Sequence, residues 1–156
     1  MKTLFFFSLL LITTISFAQP VPIKFDTTNF IKRGVKEVIL DPSVTSKLEP
    51  FKDKDDAIIY CYRLSNFVGA AVKYLIDIDE KYIAYLGQKQ YIVAHINTSE
   101  ALHFITSENL IFKYIGFKPN RYYKIRQKGF TNIADYLDEK ALAEIKTCKK
   151  IETSVK

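Results

Sequence analysis

Short apolar runs separated by polar turns fill the centre of the chain, and this pattern predicts β-strands. The runs are rich in β-branched and aromatic residues, and Asp, Asn, Gly or Ser residues bound them. The predicted strands are 57–63, 71–78, 82–86, 90–96, 101–106, 110–115 and 121–127. Turn signals recur about every eight to twelve residues, a spacing typical of an all-β sandwich or barrel.

The two ends of the chain carry other patterns. Prolines interrupt residues 19–50, so we expect an irregular N-terminal segment there, with one short strand at 35–40. Beyond the last predicted strand the apolar positions follow a helical period, and they are Ala134, Leu137, Ala141, Ile145 and Cys148. Asn132 and Asp138 are alternative N-caps for that helix. The prediction is a mainly β fold: a small antiparallel β-sandwich of about seven strands with a C-terminal helix, over residues 51–150.

The first 18 residues have the three parts of a secretory signal peptide. Lys2 supplies a positive charge, and residues 4–17 contain no charged side chain. Ser16 and Ala18 then place small residues at positions −3 and −1 of a cleavage site. A membrane-spanning helix needs about 20 apolar residues, and this run is shorter, so we expect cleavage between Ala18 and Gln19.

Export determines the compartment in which we expect the protein and limits the classes of partner that it can meet. Removal of 18 of the 156 residues leaves 138, the size of one domain, and loss of Lys2 lowers the net charge from +6 to +5. We expect a soluble periplasmic or extracellular protein, because no cysteine directly follows the leader and no later segment is long and apolar enough to span a membrane. The expected partner is a protein or an envelope glycan rather than nucleic acid, and no cofactor is expected.

Two cysteines, Cys61 and Cys148, remain in the mature chain. An oxidising compartment permits one disulfide between them. The alternative is two separate thiols that pack as small apolar side chains. Both alternatives stay open, because a bridge needs a Cα separation that spacing along the chain does not supply.

The first predicted strand and the segment after it resemble a bacterial family. Residues 58–63 read Ile-Ile-Tyr-Cys-Tyr-Arg, and residues 67–71 read Phe-Val-Gly-Ala-Ala. An apolar strand ending in Tyr-x-Tyr-Arg, a glycine with small residues and then a strand-turn-strand are similar to the family called domain of unknown function 2846. The aromatic strand of that family resembles residues 121–125, and the resemblance covers about residues 55–148.

This resemblance implies an exported β-sandwich related to PEGA-like domains, and it implies no activity. Members of the family are exported or lipid-anchored. The chain departs from the family pattern at one turn. The family usually has a Pro-Gly-Lys-His-like turn before the strand that corresponds to residues 101–106. Residues 97–100 read Asn-Thr-Ser-Glu at that place, so the chain resembles a divergent member.

The two histidines, His95 and His103, are candidates for a ligand pocket. They stand on neighbouring predicted strands that flank one turn, so they are placed to face each other. Zinc needs about three protein ligands, and the sequence shows no second ligand cluster at a short spacing. We therefore expect no metal site.

Arg63 ends the first predicted strand and is the third candidate for binding. Its guanidinium can receive a carboxylate or a phosphate. The structural alternative, which we favour, is stacking on Tyr62 or Tyr123 or bonding to loop carbonyl groups. The acidic clusters at 53–56 and 77–80 lack the pattern of a calcium loop, and no serine stands in a Gly-x-Ser-x-Gly elbow, so no catalytic residue is assigned.

These patterns predict an exported, non-enzymatic interaction or structural module. The alternative is a small ligand-binding protein or enzyme that uses His95 or His103 in a pocket. A third hypothesis is attachment to a membrane or glycan surface through the basic tail, which contains Lys146, Lys149 and Lys150.

Overall fold

The chain folds into strands that lie in two sheets, with one longer helix near its end. The computed structural model describes residues 24–29, 36–65, 71–107, 110–128 and 131–155. The predicted leader and its cleavage site at Ala18 and Gln19 lie outside the described residues. The strands are β1 (Lys24–Asn29), β2 (Asp56–Arg63), β3 (Tyr74–Ile78), β4 (Tyr82–Leu86), β5 (Gln90–Asn97), β6 (His103–Ser107), β7 (Leu110–Ile115), β8 (Tyr122–Lys128), β9 (Thr131–Tyr136), β10 (Lys149–Lys150) and β11 (Ser154–Val155). The helices are α1 (Pro42–Thr45) and α2 (Glu139–Ile145).

The six-stranded sheet has the order β1-β7-β6-β3-β4-β11, and the five-stranded sheet has the order β10-β5-β2-β8-β9. The predicted mainly β fold with a C-terminal helix is therefore confirmed. The sheets are mixed rather than purely antiparallel, because β1–β7, β2–β8 and β5–β10 pair in parallel. The seven predicted strands correspond to β2 through β8, and the described residues add β1, β9, β10 and β11.

Strand β2 lies at the centre of the five-stranded sheet, and all eight of its residues are buried. Ala57, Ile59 and Cys61 belong to the core between the sheets. The alternate residues belong to a second core on the other side of the sheet, together with α2; they are Ile58, Tyr60 and Tyr62. A strand that is covered on both faces has an unbroken apolar sequence, which explains why β2 shows no polar alternation.

A group of aromatic rings packs within the core between the sheets. Tyr123 and Tyr136 lie opposite each other in the β8–β9 register, with ring centroids 4.9 Å apart. Phe117 meets Tyr123 edge to face at 4.7 Å. The hydroxyl of Tyr123 accepts a hydrogen bond from the Lys118 amide at 2.8 Å, so the buried phenol has a polar partner.

Helix α2 covers part of the outer face of the five-stranded sheet. Its buried residues Ala141, Leu142 and Ile145 form one cluster with Ile58 and Tyr62. The helix has seven residues, so it is about 10 Å long at 1.5 Å per residue. It therefore covers only a part of the sheet, and the segment around α1 covers some of the rest.

Polar contacts fix α2 on the sheet at both ends. Asp138 is the N-cap, and its side chain accepts a hydrogen bond from the Ala141 amide at 2.7 Å. The carboxylate of Asp138 also pairs with the ammonium of Lys124 on β8. Near the other end, the Tyr62 hydroxyl donates to the Glu144 carboxylate at 2.6 Å.

Replacing Asp138 with alanine is expected to destabilise the fold by about 1 kcal/mol, because the N-cap and the ion pair with Lys124 are both lost. The measurement is the free energy of unfolding in urea for wild type and variant. The matched control is Glu152→Ala, which removes an exposed acid that caps no helix and is expected to change stability by less than about 0.5 kcal/mol. Equal stability of wild type and Asp138→Ala would contradict the assigned cap.

The structure corrects the prediction at both chain ends. The segment 19–50, predicted to be irregular, contains β1 and α1, and residues 36–40 are not a strand. Pro42 begins α1 behind the N-cap Asp41, a position that favours proline instead of breaking a helix. At the other end, Asn132 and Ala134 belong to β9, so the helix begins after Asp138.

Candidate functional site

A cleft of about 340 Å³ lies between α2, the segment after α1 and the outer face of the five-stranded sheet. We call it the tyrosine cleft. Its apolar and aromatic lining residues are Val44, Leu48, Tyr60, Tyr91, Val93, Leu142 and Ile145. Its polar lining residues are Lys47, Glu49, Lys146, Cys148 and Lys150.

The register of β2 and β5 places Tyr60 and Tyr91 on one wall of the tyrosine cleft. Tyr60 lies opposite Val93, and Tyr62 lies opposite Tyr91, so all four side chains share the outer face of the sheet. The rings of Tyr60 and Tyr91 are 6.3 Å apart and inclined by 26°. Because Val93 is the smallest of the four side chains, it leaves space that the short α2 does not fill.

The Tyr60 hydroxyl is a polar group inside an apolar wall. It accepts a hydrogen bond from the Glu49 amide at 3.1 Å. Burial raises the pKa of Tyr60 to about 12, so the phenol keeps its proton at neutral pH. A protonated hydroxyl that accepts one bond still has a hydrogen to donate, which makes Tyr60 a candidate anchor for a ligand oxygen.

The rim of the tyrosine cleft is positively charged. Glu49 pairs with Lys150, and this hydrogen bond holds the pKa of the Glu49 carboxyl below its usual range. Lys47 and Lys146 are exposed and have no ion-pair partner among the residues that the structure describes. Burial raises the pKa of the Cys148 thiol, so it remains neutral and adds no negative charge. Three lysines and one glutamate give the lining a net charge of +2.

His95 lies beside the tyrosine cleft, on the same face of β5 as Val93. Its Nδ1 is 2.7 Å from Oδ2 of Asp56, and the same oxygen accepts the Lys52 amide at 2.7 Å. Asp56 is only 4 % exposed. As a carboxylate it accepts from Nδ1–H, which leaves Nε2 of a neutral His95 as an acceptor. His95 and Asp56 line a separate pocket of about 190 Å³ with Lys52 and Lys81.

His103 belongs to the other sheet, so the prediction that the two histidines face each other is wrong. It lies on β6, is 1 % exposed and contacts Phe117 edge to face. Its Nδ1 is 2.7 Å from Oδ2 of Asp79, and the Phe104 amide donates to the other oxygen of Asp79 at 2.7 Å. These bonds tie the β3–β4 turn to β6.

Three potential metal ligands, Asp79, Glu100 and His103, have ligand atoms within 4.8 Å of one another. The sequence did not predict this cluster, because Asp79 is distant in the chain and reaches His103 only through the β3–β6 pairing. A cation on Nδ1 of His103 would force the ring proton onto Nε2, which is buried and has no hydrogen-bond partner in the part of the chain that the structure describes. Nε2 lacks a partner among the described residues in either case, as a donor with a cation bound and as an acceptor without one, so this atom does not decide between the two. The contact that the structure shows is the Asp79–His103 hydrogen bond.

Arg63 has a structural position, which is the alternative that we favour from its place at a strand end. It is 4 % exposed, and its Nη1 donates to the carbonyl oxygens of Val72 and Leu86. Its guanidinium lies 4.4 Å from the ring centroid of Tyr74, rather than on Tyr62 or Tyr123. Arg63 therefore joins the end of β2 to the six-stranded sheet.

Cys61 and Cys148 are free thiols, so the disulfide alternative is not realised. Cys61 points into the core between the sheets, whereas Cys148 lines the tyrosine cleft on the other side of the five-stranded sheet. The sheet separates the two sulfur atoms, which a bridge would need to bring within bonding distance. In the basic tail, Lys149 and Lys150 form β10 beside β5, and Lys150 is paired with Glu49.

No family model, curated protein or solved structure matches the chain. The resemblance to the domain of unknown function 2846 family therefore stays a prediction. No helix in the described part of the chain is long and apolar enough to cross a membrane.

Proposed function

We propose that the protein is an exported, non-enzymatic interaction module that binds a small molecule in the tyrosine cleft. The observation that carries this proposal is the cleft itself, a partly enclosed space with an apolar floor, two tyrosine rings and a lysine rim. Ligand sites in proteins are typically concave and mostly apolar, with a few placed polar groups. Export rests on the signal-peptide pattern of residues 1–18.

The polar contacts of the two histidines support a binding role over catalysis. Each histidine pairs with one aspartate, Asp56 or Asp79. Among the described residues, neither ring is hydrogen-bonded to a serine, threonine or cysteine side chain that it could activate as a nucleophile. His103 is also closed off from solvent, so a substrate has no access to its Nε2.

A second candidate function uses His95 in its own pocket. This side chain is 15 % exposed, and its pairing with Asp56 leaves Nε2 as an acceptor. The pocket also contains Lys52, Lys81 and Asn97, which supply hydrogen-bond donors. This candidate would be a ligand-binding protein or an enzyme that uses His95 as a base, and it replaces the proposal if ligand binding depends on His95 rather than on the tyrosine cleft.

The test of the proposed function is a thermal-shift screen of small molecules with wild type and Val93→Phe. The new ring occupies the tyrosine cleft, and Val93 is partly exposed, so the variant is expected to fold. Compounds that stabilise the wild type are expected to bind the variant at least about tenfold more weakly, a loss of about 1.4 kcal/mol.

The matched control is Val72→Phe, which adds the same ring at a position that is 47 % exposed and outside the tyrosine cleft. It is expected to bind as the wild type does. Ligands that bind Val93→Phe normally and His95→Gln poorly would support the second candidate. A screen in which no compound stabilises the wild type would overturn the proposed function.

A further inference from the structure

We propose that the ligand of the tyrosine cleft is a small amphipathic anion, with an apolar body and a carboxylate head. This inference rests on the proposed function and names the ligand class for the same site. Two independent features of the lining carry it: the burial of its apolar side chains and the charge of its rim.

The floor of the cleft fits an apolar body. Tyr60, Leu142 and Ile145 are 4 %, 8 % and 6 % exposed, and they belong to one apolar cluster under α2. Val44 and Val93 pack against the same cluster and are partly buried. A volume of about 340 Å³ lies near the lower end of the range for ligand pockets, about 300–1,000 Å³, so the body is small.

The rim of the cleft fits an anionic head. Lys47 follows α1 and Lys146 is the C-cap of α2, so two cations stand on opposite covering elements. The single carboxylate of the lining, on Glu49, is already bound to Lys150. A ligand carboxylate therefore meets two lysines without a competing acid, while a ligand ammonium meets a net positive charge.

The Tyr60 hydroxyl adds a hydrogen-bond donor of fixed position to the positively charged rim. Its hydrogen bond from the Glu49 amide fixes the oxygen, and its own proton is available to an acceptor. The hydrogen bond with Glu49, with a smaller contribution from the nearby Tyr91, raises the pKa of the Lys150 ammonium, so Lys150 stays charged. Donors and cations therefore outnumber acceptors around the cleft, which is the arrangement that a carboxylate requires.

The test compares three probes of one shape, octanoate, octanol and octylamine, by isothermal titration calorimetry on the purified protein. Octanoate is expected to bind at least about tenfold more tightly than octanol, and octylamine to bind most weakly. The double variant Lys47→Gln/Lys146→Gln is expected to lose about tenfold in octanoate affinity and to leave octanol affinity unchanged. Octanoate affinity is also expected to fall as salt increases, because exposed charges are screened.

The matched control is Lys36→Gln/Lys73→Gln, which makes the same change in net charge with exposed lysines outside the tyrosine cleft. It is expected to bind octanoate as the wild type does. Octanol that binds as tightly as octanoate, or a Lys47/Lys146 variant with unchanged octanoate affinity, overturns the anionic class and leaves the proposed function intact. If no probe binds while screen compounds still depend on Val93, the ligand class alone is wrong; if no compound of any kind binds, both proposals fail.

Discussion

Replacing Ile59 with alanine is expected to lower the free energy of unfolding by about 2–5 kcal/mol. Ile59 is fully buried at the middle of β2, between Ala94 of β5 and Tyr123 of β8. Both neighbouring strands hold β2 in place, so the backbone cannot collapse into the space that the lost atoms leave. The cost therefore includes the cavity as well as the lost burial.

The measurement is unfolding in urea, monitored by circular dichroism. The slope of the unfolding free energy against urea concentration is compared between wild type and variant, because equal slopes support the same two-state transition in both. The matched control is Ile39→Ala, since Ile39 is 78 % exposed and its truncation removes little buried surface. This control is expected to change stability by less than about 0.5 kcal/mol. A similar small change for Ile59→Ala would show that the two sheets do not pack as described.

The protein is expected to lose stability steeply above about pH 10, because several tyrosines are buried in the fold. Burial raises the pKa of Tyr60 from 10.0 to about 12, and it raises the pKa values of Tyr62 and Tyr123 as well. A phenol with a raised pKa binds its proton more tightly in the folded state than in the unfolded chain. Its contribution is complete below about pH 10 and is lost as the pH rises towards about 12.

This alkaline transition is measured as the urea midpoint between pH 8 and pH 12, with phenolate absorbance followed in parallel. Ionisation of the buried tyrosines is expected to coincide with unfolding. Tyr60→Phe removes one buried phenol, so the urea midpoint of this variant is expected to fall less between pH 10 and pH 12 than that of the wild type. Tyr85→Phe is the control, since Tyr85 is 62 % exposed. A urea midpoint that stays constant through pH 11 would contradict the burial of these phenols.

The arrangement of layers explains why the cleft forms where it does. Different elements pack on the two faces of β2. The six-stranded sheet packs on one face, and α2 with the segment around α1 packs on the other. A sheet covers its partner evenly, but a helix of seven residues does not. The tyrosine cleft is the space that remains beside α2, and the lysines that follow α1 and α2 border it.

Local patterns were sufficient where an element is set by its own residues. The unbroken apolar run of β2 and the turn residues around β3, β4 and β5 each depend on neighbours in the chain. The N-cap of α2 stayed open between Asn132 and Asp138 on local pattern alone, and the structure assigns it to Asp138. Local pattern gave the wrong prediction at β9. Ala134 fits the helical period of the predicted helix, but it also fits the two-residue period that places Ala134 and Tyr136 on the buried face of the strand. Pairing with β8 decided the outcome, because strand preference depends on the partner strand.

The sequence by itself determined that this chain would be a β-sandwich with a terminal helix, since the apolar period of each segment decides which face is buried. Only the tertiary structure decided which distant groups meet. It separated His95 from His103 into different sheets, put the two cysteines on opposite sides of one sheet, and assembled the tyrosine cleft from residues between Val44 and Lys150. The physical reason is that strand order arises from contacts between residues far apart in the chain, whereas a local apolar pattern specifies only which face of its own segment is buried.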